Sequence, residues 1–166
     1  MEMLQKRKLR FLALIVAVLA AGCAPAISKK VLETAQRDIP FSELAKDPMG
    51  YKGSTVLLGG TILKTDNLEA ETVMEVLAQP LSRTLRPVRP EESPGRFLVV
   101  AEGFLDPALY APGRPITVVG VVEGVRKGVL GEHPYAYPVI SPVELHLWRD
   151  ERRPDITIGV GVYGSF

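Results

Sequence analysis

The sequence predicts a mainly β protein: a small, OB-like, partly closed five-stranded barrel with one short helix, set behind an N-terminal signal helix. Three observations carry this. Five short apolar stretches bounded by turn-forming residues read as strands. The 15 glycines and 14 prolines in 166 residues favour strands and turns over long helices. Glycines inside two of the stretches, at Gly59-Gly60 and Gly120, supply the bends by which a short sheet coils and closes. A flat sandwich is the alternative, because periodicity does not fix strand order.

The first element is the stretch Leu9–Cys23. A basic cluster (Lys6, Arg7, Lys8, Arg10) precedes an apolar run, Phe11–Ala21, that is shorter than the ~20 residues a membrane span requires. That pattern is a secretory signal. Its end, Ala20-Ala21-Gly22-Cys23, resembles the lipobox of bacterial lipoproteins, with Ala20 where that class prefers Leu. The resemblance implies cleavage before Cys23, diacylglycerol on its thiol and acylation of the new amine, so that the lipid anchor is the outer-membrane contact. Ala24 in place of an aspartate points, within the same resemblance, to the outer rather than the inner membrane. An ordinary secretory signal with an incidental buried cysteine is the other reading.

The chain therefore divides into a signal peptide (1–22), a lipidated tether (23–40), a β-barrel domain (41–150) and a glycine-rich tail (151–166). The whole chain carries +1; the first 22 residues hold four basic residues and one acid, so the remainder sits at −2. A mildly acidic exported body lacks the basic footprint of a nucleic-acid binder. The single cysteine excludes an internal disulfide framework.

Within the tether, Ser28–Asp38 has the spacing of a short helix but reads as a loose spacer. Phe41–Asp47 predicts a helix capped by Ser42 and stopped by Pro48 and Gly50, with Phe41 and Leu44 against the body. Strands follow at Ser54–Leu63, with Val56, Leu58 and Ile62 on one side, and at Thr72–Ala78, with Glu75 on the face of Val73 and Leu77. The third, Arg96–Glu102, sets Phe97, Val99 and Ala101 opposite Leu98, Val100 and Glu102. The last two are Ile116–Val125 and Tyr135–Leu147; Pro138 and Pro142 require the last to be bulged or at an edge. Pro80–Gly95 reads as a long exposed loop, and Asp106–Pro115 as a turn. The tail Asp155–Phe166 alternates Ile156, Ile158, Val160 and Val162, and is expected to be weakly held.

Few residues offer chemistry. Gly159-x-Gly161-x-x-Gly164 has the spelling of a dinucleotide loop but not the strand–turn–helix setting that would cradle pyrophosphate. His133 and His146 have no further ligands at metal spacing, so neither a metal nor another cofactor is expected. Glu69/Glu71 and Glu91/Glu92 read as solvated loop charge, and Asp106 as a turn cap. No nucleophile elbow is present, so no catalytic residue is assigned and the protein is expected not to be an enzyme. Tyr110, Tyr135, Tyr137 and Trp148 could line a groove, the mark of an OB-type binder of envelope oligosaccharide or peptide.

From Tyr51 to Trp148 the wording resembles the Slp family of outer-membrane lipoproteins. The pieces are Tyr51-Lys-Gly53 with Leu58-Gly59-Gly60-Thr-Ile62, Met74-Glu75-Val76 with Pro80-Leu81, Gly95-Arg96-Phe97, Gly103-Phe104-Leu105-Asp106-Pro107, Gly113-Arg114-Pro-Ile-Thr117-Val-Val-Gly120, and Gly131-Glu132-His-Pro-Tyr135-Ala-Tyr137-Pro138. The resemblance implies a small, lipid-anchored β protein of the Gram-negative outer membrane with no assigned catalytic residues. An envelope protein or glycan partner is left open, and the tail after Trp148 lies outside the resembling region.

Overall fold

The computed structural model describes residues 25–149, so the predicted signal peptide, Cys23 and the tail fall outside the described residues. In chain order the elements are α1 (Lys29–Thr34), α2 (Phe41–Lys46), β1 (Thr55–Asn67), β2 (Glu71–Ala78), a 3-10 turn at Pro90–Glu92, β3 (Arg96–Glu102), β4 (Pro115–Leu130) and β5 (His133–Leu147). The strands close in the order β1-β2-β3-β5-β4 and back to β1. All the neighbours are antiparallel except β3 and β5. This is an OB-type Greek-key barrel. It is closed rather than partly open, and the sandwich alternative falls.

Closure depends on β1, which serves two partners. Thr55–Thr61 pairs with β4, and Gly60–Asn67 pairs with β2. The strand changes partner at Gly60, where a Cβ would collide with the Leu77 carbonyl oxygen and stand 2.7 Å from Val76 Cγ1. Only glycine lets the two backbones approach this closely.

The expected alternation fills the interior. Val56, Leu58 and Ile62 meet Met74, Val76, Phe97, Val99, Ile116, Val118, Val122 and Ile140. Helix α2 lays Phe41 and Leu44 on this core, with the Phe41 and Phe97 rings 5.7 Å apart. Ser42 does not cap that helix. Pro40, extended at ψ 141°, occupies the cap position, and its carbonyl accepts from Glu43 N (3.0 Å) and Leu44 N (3.2 Å).

Strand β5 is bulged as expected, at Pro142, while Pro138 pairs in register with Val125. Pro142 pairs with Gly120 and Glu144 with Val119, so Val143 is bulged out. A second irregularity skips Glu123 on β4, where Gly124 takes a φ of +135°. Beyond it the two strands continue as a projecting hairpin, Val125–Leu130 paired with His133–Pro138, which is longer than the predicted strands.

Two further expectations are corrected. Residues 25–40 do not form a loose spacer: Ile27 is 0 % exposed, and Gln36 bridges to Val56 as a short added strand. Ser28 donates from N and Oγ to Glu144 at 2.8 and 2.7 Å. Packing onto the barrel thus begins before Phe41. The 80–95 segment is folded against the barrel as well. Leu81 bridges to Pro87, Pro87 is buried, and Thr117 Oγ1 donates to the Leu85 carbonyl at 2.6 Å. Leu85 and Arg89 hold φ values of 67° and 52°, a strained left-handed backbone costing about 1–3 kcal/mol each.

Candidate functional site

An OB barrel commonly offers its β2–β3 face to ligands. In this protein the β4–β5 hairpin lies across that face. Glu75, on the β2 face it shares with Val73 and Leu77, accepts from Arg96 Nη1 at 2.7 Å and from the Tyr137 hydroxyl at 3.4 Å. Arg126 reaches Glu71 at 3.3 Å, the Tyr135 and Tyr137 rings meet edge to face at 4.6 Å, and Arg96 N donates to the Tyr135 hydroxyl oxygen at 2.8 Å. Leu98, on the same outward parity, is 8 % exposed and Tyr137 7 %. Burial, and after it the Glu75 carboxylate, push the Tyr137 phenol above its ordinary range, so it stays a neutral donor. The face is partly covered, and its Glu71, Glu75 and Arg96 side chains are paired within the chain.

At one end of the barrel, the β1–β2 turn and the 103–114 loop are joined through Thr72. Its buried hydroxyl donates to Gly103 O and accepts from Leu105 N at 3.0 Å, while Asn67 Nδ2 holds Leu105 O at 3.2 Å. This end exposes Leu68, Phe104 and Leu109, Phe104 at 73 %.

Among the described residues an open concavity lies elsewhere, between the N-terminal segment and the 80–89 loop. A groove of about 620 Å³ runs from Pro25 and Ala26 past Leu32 and Leu85 to His146 and Trp148, and Lys29, Arg37 and Arg83 also line it. A neighbouring groove of about 470 Å³ shares Arg37 and Leu85 with it and ends on Phe41 and Pro94. Trp148 is fixed on several sides. Its indole Nε1 donates to Thr117 Oγ1 at 2.9 Å, His146 abuts it at 4.4 Å between centroids, and the Arg86 guanidinium lies 5.3 Å from its ring centre. Arg114 holds the Trp148 carbonyl through Nε and Nη2 at 3.1 and 2.7 Å.

The structure separates most of the residues singled out from the sequence. The aromatic set does not converge. Tyr135 and Tyr137 sit under the hairpin, Tyr110 packs against the core, and Trp148 lines the N-terminal groove. His133 begins β5 at the hairpin tip, and His146 meets Trp148 edge to face. Glu71 pairs with Arg126, Glu92 with Arg89, and Asp106 Oδ1 caps Ala108 N at 2.8 Å, as a turn residue does. Among the described residues no cluster of three metal-ligating side chains occurs. Cys23 and the Gly159–Gly164 spelling lie outside the described residues. Sequence reasoning missed the Glu75–Arg96–Tyr137 cluster and the three cations of the groove. The outward parity of Glu75 and Arg96 was a usable signal for the first; nothing local pointed to the second.

Comparison with known proteins decides the family. The outer membrane lipoprotein Slp family matches residues 20–163. This chain belongs to the Slp family. The match runs well beyond the Tyr51–Trp148 resemblance and takes in both Cys23 and most of the tail, which the sequence reading had set outside. The chain is similar to the uncharacterized lipoprotein YeaY of Escherichia coli K12, 31 % identical over 134 residues that cover 80 % of this chain and 68 % of that protein. It is also similar to an uncharacterized protein of Haemophilus influenzae, 34 % identical over 109 residues, 65 % of this chain and 59 % of that one. Membership of the Slp family implies a place in the cell envelope at the outer membrane.

Proposed function

We propose that this Slp-family chain is held at the outer membrane through acylated Cys23 and works there as a non-enzymatic module with a structural or binding role. One observation carries the anchor: the lipobox-like Ala20-Ala21-Gly22-Cys23 lies inside the segment matched to a family of outer-membrane lipoproteins. Two acyl signals or more give stable attachment, where one chain is marginal. Mass spectrometry of the mature N-terminal peptide tests it. Diacylglycerol and an N-acyl group on Cys23 are expected, and a free thiol would end the proposal.

The module reading is supported by the way the barrel disposes of its polar groups, which serve packing and closure. The alternative, an OB-type binder of envelope oligosaccharide or peptide, gains nothing from the aromatic set, because those rings are dispersed. Crosslinking in intact envelopes followed by mass spectrometry separates the two. A single dominant protein partner supports a structural role, and recovery of glycan supports the binder.

A further inference from the structure

We infer that the groove between the N-terminal segment and the 80–89 loop binds the head group of an anionic phospholipid, with Lys29, Arg37 and Arg83 around the phosphate and Leu32, Leu85 and Trp148 beneath the glycerol and proximal acyl carbons. This goes beyond the anchor and uses the membrane address proposed above. Three observations carry it. The first is charge: the groove is lined by three cations and no carboxylate. None of the three forms an ion pair with a described residue; Arg37 gives one hydrogen bond to Leu32 O at 3.3 Å, and Glu144 nearby is engaged by Ser28. Clustered cations without partners beside a membrane are drawn to anionic head groups.

The second is amphipathy. The cations rim an apolar floor, and the floor ends in a tryptophan whose indole N–H is already satisfied, the combination of ring and polar tip found at membrane interfaces. The third is position. Pro25 lines the groove, and only Ala24 separates it from Cys23, about 7 Å of chain at full extension. An anchor at Cys23 therefore brings the groove to the head-group layer.

The chain has a single tryptophan, so Trp148 reports on the groove alone. The full-length protein, purified in non-ionic detergent, is titrated with dihexanoylphosphatidylglycerol, dihexanoylphosphatidylcholine and inorganic phosphate while Trp148 emission is followed. Phosphatidylglycerol should give a saturable shift, phosphatidylcholine should bind at least tenfold more weakly, and phosphate should give no shift. The Lys29→Gln/Arg83→Gln variant should raise the phosphatidylglycerol Kd at least tenfold, and Lys29→Arg/Arg83→Lys should restore it. Equal response to both lipids, an unchanged Kd in the glutamine variant, or phosphate saturating the same signal would each overturn the inference. The titration reads the groove whether or not Cys23 is acylated, so its failure and that of the anchor are distinguishable.

Discussion

On the β2–β3 side of the barrel, Glu75 is gripped by Arg96 at 2.7 Å, approached by Tyr137 and roofed by the β4–β5 hairpin. On the N-terminal side, Lys29, Arg37 and Arg83 line the same groove as Trp148, with no carboxylate among the lining residues. The same fold thus carries one surface where charge is neutralised within the chain and one where it is not. The face that an OB barrel usually gives to ligands is partly covered here by sixteen- and fifteen-residue strands that outrun the barrel. The open groove lies instead where the N-terminal segment meets the 80–89 loop. The difference teaches that a shared fold does not fix which surface stays open: one long hairpin is enough to cover the β2–β3 face.

Substitutions break this comparison at different depths. Gly60→Ala should remove both surfaces at once, since its methyl group would strike the Leu77 carbonyl where β1 changes partner. A loss of about 3 kcal/mol is expected from overpacking against backbone, read as a lower urea midpoint. Glu75→Ala should harm only the roofed side. It leaves Arg96, whose side chain is 31 % exposed, without its partner, at a cost of about 1–2 kcal/mol after solvent screening, and phosphatidylglycerol binding should be unchanged.

Tyr137→Phe is milder, about 1 kcal/mol for a lost hydrogen bond, and sharpens the comparison through pH. The folded phenol titrates above the unfolded one, so its contribution is full below the unfolded value and is lost as pH rises from about 10 through the folded one. Melting curves between pH 9 and 11 should fall more steeply for the native protein than for the phenylalanine variant. Smallest of all, Arg83→Gln should change stability by less than about 0.5 kcal/mol, because the side chain is exposed and unpaired among the described residues. A larger drop would show that the groove cation supports the fold.

Much of the barrel was legible because its signals are local. Strand β3 was bounded correctly, Arg96–Glu102, since Gly95 and Gly103 at its ends both hold positive φ. That Val56, Leu58 and Ile62 share one side followed from alternation alone, and the bulge beside Pro142 from proline's missing amide donor. The hairpin was read short because Arg126–Leu130 is solvated on both faces and leaves no one-sided pattern. Ile27 was missed for a related reason. One buried residue has no period, and the contact that holds the segment beside it, Ser28 to Glu144, spans most of the chain. The proline-rich 80–95 segment read as exposed, yet Gly59 leaves the space that Leu81 and Pro87 fill, a complementarity no local window contains. The groove cations were invisible for the same cause: Lys29, Arg37 and Arg83 meet only after the barrel has brought residue 83 to residue 29.

The parallel seam between β3 and β5 consists of two register pairs, Leu98 with Val139 and Val99 with Ile140, whereas β4 and β5 are paired along nearly their whole length. Local opening of a native protein follows its least-bonded boundary. This barrel therefore has a hinge line and a clasp. The clasp is the side-chain contact of Tyr135 with Arg96 and of Tyr137 with Glu75, placed at the one edge where the backbone ladder is thinnest. In hydrogen exchange, β4 and β5 would part from β3 together, as a single leaf swinging on β1, before either strand let go of the other.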